Sequence, residues 1–109
     1  MASMLDRVQG SLDMMILKTL MNGSMHGWGI AHHIRSRSHD VLQVNQGALY
    51  PALHRLEDAG LVRGAWGVSD NNRRARFYTI SAAGRKRLAA ETADWKSFVR
   101  VVGLVMELA

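Results

Sequence analysis

A chain of 109 residues with 48% hydrophobic and 21% charged side chains has the size and composition of one globular domain, which excludes a disordered protein. The chain contains no cysteine, so disulfides, thiol nucleophiles and cysteine-based metal sites are excluded as well. No apolar stretch reaches the length of a membrane span, and residues 1–7 lack the apolar core of a signal peptide. We therefore expect a cytoplasmic protein with no membrane partner.

The net charge of +5 is unevenly distributed along the chain. Residues 1–62 carry five basic and five acidic side chains, and residues 88–109 have a net charge of −1. Residues 63–87 carry seven basic side chains against Asp70 alone, a net charge of +6. Such a concentration of positive charge is typical of a surface that binds a polyanion. A solvated face without a partner is the alternative, and the charge pattern alone favours neither.

The first two predicted elements are helices. Ser11 is placed to cap the first, with Asp13 in its first turn, where the helix dipole favours negative charge. The pair Asn22-Gly23 ends this helix. Its apolar residues lie on more than one side, which predicts two buried faces: Leu12, Met14, Met15, Ile16, Leu17, Leu20 and Met21. The second helix is predicted over residues 27–37. Its apolar face consists of Trp28, Ala31 and Ile34, with Ile30 beside it.

A third helix is predicted over residues 46–59, ending at Gly60, after a short β-segment over residues 41–44. Pro51 lacks an N–H and crowds the preceding turn, so we expect the regular helix to begin near Gly47 or to bend slightly. The predicted buried stripe is Leu49, Ala52, Leu53 and Leu56. The opposite side consists of Gln46, Tyr50, His54, Arg55 and Asp58.

A β-hairpin follows the third helix. Its predicted strands, residues 61–68 and 75–80, are rich in aromatic and β-branched side chains. The residues between them, 69–72, are Ser-Asp-Asn-Asn, which favour a turn. Three arginines, Arg73, Arg74 and Arg76, occur where the chain returns from this turn. The hairpin therefore carries much of the concentrated positive charge at one end.

A last helix is predicted from residue 82 to the C-terminus, with Ser81 placed to cap it. Residues recur along it at intervals of seven, which is typical of helices that pack against a partner. The two series are Leu88, Trp95 and Val102, and Thr92, Val99 and Met106. Eight of the last twelve residues have large apolar side chains. A helix end this apolar must be covered by its own domain or by a second chain, and oligomerisation would help to stabilise so short a chain.

The order of these elements predicts a mainly α, α+β fold of the winged helix-turn-helix class. We assign residues 1–80 to a winged helix-turn-helix DNA-binding domain and residues 81–109 to a C-terminal dimerisation helix, part of the same compact unit. In this fold the third helix fits the major groove of DNA, and a basic hairpin reaches the backbone or the minor groove. A symmetric dimer would present two such helices to a palindromic operator.

Three segments of the chain resemble one known family. Residues 47–61, Gly-Ala-Leu-Tyr-Pro-Ala-Leu-His-Arg-Leu-Glu-Asp-Ala-Gly-Leu, are similar to the signature of the PadR family of transcriptional regulators. Residues 25–30, Met-His-Gly-Trp-Gly-Ile, resemble the His-Gly-Tyr-x-Ile segment of that family, and residues 72–84 resemble its wing and return strand. The length of the chain fits the branch of the family that has a single C-terminal helix.

The resemblance implies a dimeric repressor whose first and last helices build the dimer interface, with an aromatic ligand able to relieve repression. Two positions depart from the family pattern. Ala48 stands where the family usually has Ser or Thr, which removes one polar DNA contact. Trp28 replaces the usual Tyr, which removes a hydroxyl.

The candidate DNA-binding residues lie on the third helix, the hairpin and the first helix: Gln46, Tyr50, His54, Arg73, Arg74, Arg76 and Lys18. The resemblance implies that Tyr50 contacts a phosphate, and a surface tyrosine that packs on its neighbours is the alternative. Gln46 and His54 reach base edges or belong to a solvated helix face. Lys18 either contacts a phosphate or simply lies on the solvent-exposed side of its helix.

Trp95, with Val99 and Met15, forms the candidate cleft between subunits. Trp95 belongs to one of the seven-residue series, so it either fills the dimer core or stacks against a planar aromatic effector. A winged-helix module that binds proteins, without specific DNA binding, is the alternative function.

We expect no cofactor, no metal site and no enzymatic activity. Four histidines invite a metal interpretation, but they lack the carboxylate-assisted spacing of a zinc helix: His26, His32, His33 and His39. The chain has no nucleophile motif, no glycine-rich phosphate loop and no paired carboxylates in a plausible pocket.

Overall fold

The computed structural model describes the backbone of residues 4–108 and the side chains of residues 10–108. The elements in chain order are α1 (Met4–Leu20), β1 (Met25–His26), α2 (Gly27–Arg37), α3 (Gln46–Asp58), β2 (Val62–Val68), β3 (Arg74–Ile80) and α4 (Ala82–Val105). Three helices followed by a hairpin and a long last helix form a mixed α+β fold with a small antiparallel sheet. The predicted winged helix-turn-helix fold is confirmed.

The core lies where α1, α2 and α3 meet the base of the hairpin. The predicted stripe of α3 is fully buried, as the spacing of its apolar residues requires. From α1 the buried apolar side chains are Leu12, Ile16, Leu17 and Leu20, while Met14 and Met15 pack at the edge of the core. The hairpin and α4 complete the core with Leu61, Val62, Tyr78, Ile80 and Leu88.

The sheet has the strand order β1-β3-β2, and both pairings are antiparallel. Strand β1 was not predicted from the sequence; its two residues pair with Tyr78 and Phe77 of β3. The predicted β-segment over residues 41–44 is wrong. Positive φ angles of 54° and 65° at His39 and Asp40 turn the chain there, and the N–H of Leu42 donates to the hydroxyl of Ser38 instead of to a neighbouring strand.

One predicted helix start needs correction, and another is confirmed. Helix α1 extends over Met4–Leu20, so Ser11 lies in its interior and is not the N-cap. Residues 4–10 contain no proline, and Gly10 costs a helix only about 1 kcal/mol, so the helical pattern continues through it. Helix α3 begins at Gln46 and includes Pro51 inside the helix. The predicted ends at Gly23 and Gly60 are confirmed, with φ angles of +124° and +74°.

The predicted apolar face of α2 is only partly correct. Ile30 and Ile34 are buried and Ala31 is half-buried, but the indole of Trp28 is 70% exposed. Trp28 lies in the first turn of the helix, beyond the edge of the core, where its ring stacks on the imidazole of His32 with a centroid distance of 4.9 Å.

Helix α4 leaves the core after its first two turns. The hydroxyl of Ser81 accepts from the N–H of Gly84, so the predicted cap is confirmed, and the buried residues of the helix are Gly84 and Leu88. Farther along, the exposed apolar side chains of this last segment are Trp95, Phe98, Val99, Val101, Val102, Leu104, Val105, Met106 and Leu108. Within the described part of the chain, none of the helices combines the length and apolarity needed to cross a membrane.

Candidate nucleic-acid interface

Helix α3 turns a polar face away from the core. Gln46, Tyr50 and His54 are spaced four residues apart, so they lie along one exposed side of the helix. The start of the helix is held by Asn45, whose side-chain oxygen accepts from the N–H of Ala48 at 2.9 Å. This cap was not predicted, although asparagine directly before an apolar helical pattern is a signal for it.

Tyr50 connects α3 to the start of α2. Its ring lies against Gly27, where an added Cβ would come within 3.0 Å of the phenol oxygen. The side chain nonetheless remains 42% exposed. Two of the three segments that resemble the PadR family therefore meet in the fold, at Gly27 and Tyr50. The ring of Tyr50 occupies the space that a side chain at residue 27 would take.

Arg73 and Arg74 stand at the returning side of the hairpin tip. The tip is closed by backbone hydrogen bonds between Ser69 and Arg73 and between Asn72 and Ser69. The guanidinium of Arg74 lies over the ring of Trp66 on the opposite strand, with 4.4 Å between its central carbon and the ring centroid. Both arginines are exposed, and in the described part of the chain neither forms an ion pair. Their positive charges are therefore available to an external anion.

Arg76, the third arginine of the hairpin, has a different environment. Its guanidinium donates to the carboxylate of Glu57, in the last turn of α3, at a distance of 2.5 Å. The hydrogen bond to Glu57 raises the pKa of Arg76, so its guanidinium stays charged. This partner was not predicted, because Glu57 and Arg76 are 19 residues apart and no local pattern relates them.

A groove runs between α2 and the hairpin, and several of its residues were not predicted. The Trp28–His32 stack forms one wall of the groove. His26 lies beside Phe77 of β3 with a ring-centroid distance of 5.3 Å, and it caps α2 by accepting from the N–H of Gly29 through Nδ1. The other wall includes Trp66. Five aromatic residues border the same groove as the hairpin arginines: Trp28, Tyr50, Trp66, Phe77 and Tyr78.

Comparison with known proteins decides the family. Residues 16–90 match the transcriptional regulator PadR-like family. The chain belongs to this family. A transcriptional regulator from Clostridium thermocellum has the same fold with a TM-score of 0.82, 26% identity, and coverage of 90% of this chain and 95% of the other. A PadR family transcription regulator from hypervirulent Clostridium difficile shares the fold with a TM-score of 0.75 at 22% identity, over 87% of this chain and 97% of that one.

An uncharacterized protein of Lysinibacillus sphaericus is 28% identical over 103 residues, which are 94% of each chain. The PadR-like family is one of transcriptional regulators and not of enzymes. The chain is therefore a PadR-like transcriptional regulator, and the resemblance drawn from its three sequence segments is confirmed.

The structure brings together some of the predicted DNA-binding residues of this PadR-like chain and leaves others apart. Four of them border the groove between α2 and the hairpin: Tyr50, Arg73, Arg74 and Arg76. Gln46 and His54 are exposed on α3 but do not line the groove. Lys18 is exposed in the last turn of α1, and within the described residues no ion pair joins it to this region.

The residues predicted to form a cleft between subunits lie on two helices. Trp95 and Val99 are about half exposed on α4, and the ring of Trp95 lies 6.1 Å from that of Phe98. Met15 packs at the edge of the core on α1, and α1 and α4 are in contact. As for metals, no three His, Cys, Asp or Glu side chains come together as a possible site among residues 10–108.

Proposed function

We propose that this PadR-like regulator is a sequence-specific DNA-binding repressor that acts as a homodimer on a palindromic operator and is released by a planar aromatic ligand. One observation carries the DNA-binding part of the proposal. Arg73 and Arg74, which have no ion-pair partner among the described residues, border one groove together with Tyr50, from the exposed polar side of α3.

The dimensions of DNA explain why this arrangement suits it. The major groove admits an α-helix and displays a different pattern of hydrogen-bonding groups for each base pair. In the proposed complex, Gln46 and His54 read base edges in this groove. The hairpin extends beside the helix, where Arg73 and Arg74 meet phosphates of the flanking backbone. Tyr50 and Lys18 are the further proposed phosphate contacts.

The test compares two arginines of the same hairpin. Arg74 and Arg63 are both exposed, but they occupy positions of opposite parity in the paired strands and point to opposite faces of the sheet. Arg74→Ala is expected to weaken binding to operator and to random DNA alike, because a phosphate contact carries no sequence information. The slope of log K against log salt should become shallower by roughly one for each phosphate that is no longer bound. Arg63→Ala should leave both the DNA affinity and the salt slope unchanged.

Fluorescence anisotropy with a labelled duplex, repeated over a series of salt concentrations, measures the DNA affinity and its salt slope. Weakening confined to one operator sequence would contradict a backbone contact at Arg74. Elution of the wild-type protein from random DNA or heparin at low salt would instead favour the second candidate, a winged-helix module that binds proteins. The uncompensated charge of Arg73 and Arg74 argues against that candidate, since a protein-binding wing has no need of it.

The dimer is supported by the apolar surface of α4. The side chains exposed beyond Leu88 are too many and too contiguous for a helix facing water. Their recurrence at intervals of seven suits packing against the same helix of a second copy. Two copies related by a twofold axis would present their α3 helices to half-sites about 34–36 Å apart, one turn of DNA.

Repression and its relief by a ligand are supported by the resemblance to the family and by the position of Trp95. A dimer seated on an operator would block access to the promoter. A flat ligand held between the Trp95 rings of two copies would change how the copies pack, and hence the spacing of their α3 helices.

A further inference from the structure

The ion pair between Glu57 and Arg76 occupies a particular place in the fold. The base of the hairpin is already fixed to the end of α3 by the backbone, since the N–H of Leu61 donates to the carbonyl of Leu56 at 2.9 Å. Arg76 lies farther out, opposite Trp66 in the middle of the two paired strands. Among the described residues, its bond to Glu57 is the one ion pair that joins α3 to the hairpin.

A glycine in the neighbouring strand makes room for this ion pair. A Cβ at Gly64 would lie 2.5 Å from Nε of Arg76 and 2.7 Å from Nη2. The guanidinium therefore lies directly over the backbone of β2, with the ring of Trp66 5.8 Å away. Residue 64 pairs with Tyr78, so its side-chain position faces the same way as Arg76 and α3. The guanidinium is thus packed on one side and neutralised by Glu57 on another.

The three hairpin arginines consequently differ in what they offer to DNA. Arg73 and Arg74 are exposed without an ion-pair partner among the described residues, whereas the charge of Arg76 is already matched and its side chain is only about one-third exposed. A phosphate that approached Arg76 would compete with a carboxylate held in direct contact. The geometry gives Arg76 a partner within the protein and leaves the tip arginines for a partner outside it.

We propose that Glu57 and Arg76 are positioning residues whose ion pair fixes the angle between α3 and the hairpin, so that the helix and the tip arginines meet DNA at the same time. This inference rests on the proposed DNA-binding function. The two elements must fit grooves and backbones whose spacing DNA dictates, so a hairpin free to pivot binds less well. Arg76 then acts through the position of Arg73 and Arg74 and makes no phosphate contact of its own.

The two possible roles of Arg76 predict opposite results for Glu57→Gln. If Arg76 contacts phosphate, removing the carboxylate frees it and adds one positive charge to the protein, and DNA binding should strengthen. If the ion pair positions the hairpin, the same substitution should weaken binding roughly three- to tenfold, within the range found for residues coupled in one network. Asp58→Asn is the matched control, because it removes the same charge from the adjacent, exposed position of α3.

The experiment measures DNA affinity and its salt dependence for Glu57→Gln, Arg76→Gln and Asp58→Asn by fluorescence anisotropy. We expect the first two to weaken binding with an unchanged salt slope, and Asp58→Asn to bind at least as well as wild type. Stronger binding by Glu57→Gln, to the same degree as Asp58→Asn, would overturn the proposal. A salt slope that Arg76→Gln makes shallower by roughly one would overturn it too, because this indicates that Arg76 itself binds a phosphate.

Hydrogen exchange without DNA provides a readout that does not depend on the proposed function. Glu57→Gln and Arg76→Gln should both raise the exchange rates of backbone amides in β2 and β3, while Asp58→Asn should not. If the wild-type protein binds no DNA, the proposed function fails, and the role of the ion pair in holding the hairpin is decided by exchange alone. Unchanged exchange in both variants would contradict that role.

Discussion

Gly84 sets the distance between the start of α4 and the hairpin. A Cβ at this position would lie 2.1 Å from the carbonyl oxygen of Leu61, a backbone atom that cannot turn aside. The same carbonyl accepts a hydrogen bond from the N–H of Ser81 at 3.0 Å. The carbonyl oxygen of Leu61, at the base of the hairpin, is therefore in contact with the start of α4. The glycine is required here for its size, because α4 lies directly against this backbone.

Gly84→Ala is accordingly expected to lower the free energy of unfolding by at least about 1–3 kcal/mol, the usual cost of forcing a methyl group into a filled site. Gly10→Ala is the control: Gly10 also lies inside a helix, but an added Cβ there meets nothing within 4 Å. That change should stabilise the protein by up to about 1 kcal/mol through helix propensity. Urea denaturation of both variants measures the difference, and equal stabilities would show that α4 moves away at little cost.

Trp28 and Trp66 show where reasoning from single residues fails. Helical spacing assigns Trp28 to the buried face of α2, yet its indole is largely exposed, because the first turn of α2 extends past the core. Trp66 alternates along β2 as a strand residue should, but nothing in its local sequence indicates that Arg74 will lie over its ring. The position of Trp28 depends on where the core ends, and that of Trp66 depends on a side-chain contact across the hairpin.

At the scale of elements, the start of α3 matters most for the proposed function. Asn45 caps the helix through its side-chain oxygen, and Gln46 and Tyr50 project from the turns that follow. Asn45→Ala is expected to lower stability by about 1 kcal/mol and to loosen these turns. Asn45→Asp keeps the cap and adds a negative charge that the helix dipole favours.

The aspartate variant should therefore be at least as stable as wild type yet bind DNA more weakly, because its carboxylate lies at the edge of the proposed DNA-facing surface. Thermal unfolding and DNA anisotropy, measured on the same samples, separate the two effects. Undiminished DNA binding by Asn45→Asp would contradict the placement of the start of α3 against DNA. A lower stability of that variant would contradict the capping role.

Elements with a long periodic pattern were predictable, and those determined by tertiary pairing were not. The stripe of α3 and both long strands follow from apolar spacing within one segment. Strand β1 has two residues and exists because β3 lies beside it, while residues 41–44 have strand-like composition but form no strand. The same reason accounts for the site: Arg74 was placed by its local sequence, whereas the partner of Arg76 required knowledge of how α3 meets the hairpin.

At the scale of the whole molecule, the exposed apolar surface of α4 predicts assembly. Val102→Glu would place a carboxylate at a seven-residue position that is exposed in one chain, so the monomer should remain folded while the dimer dissociates because of charge burial. Ser97→Glu adds the same charge to the same helix outside the two seven-residue series. Light scattering at micromolar concentration should show a dimer for wild type and Ser97→Glu and a monomer for Val102→Glu.

A monomeric wild-type protein at that concentration would contradict the proposed role of α4. Equal dissociation of both glutamate variants would place the interface elsewhere on the helix. DNA binding supplies a second check, because a dissociated variant can engage one half-site at a time. On a palindromic duplex it should lose the advantage of binding two linked sites.

The ligand proposal depends on the dimer, since a cleft lined by Trp95 exists only where two copies of α4 meet. The chain has three tryptophans, so Trp28→Phe combined with Trp66→Phe leaves Trp95 as the only indole. A planar aromatic ligand stacked on that indole should quench its fluorescence in a saturable manner.

The same compound should release DNA from the wild-type protein. Trp95→Ala, if still dimeric by light scattering, should lose the DNA response to the compound. No quenching by any of a broad panel of planar aromatics, with the dimer intact, would mean that Trp95 serves only to fill the interface between the two helices.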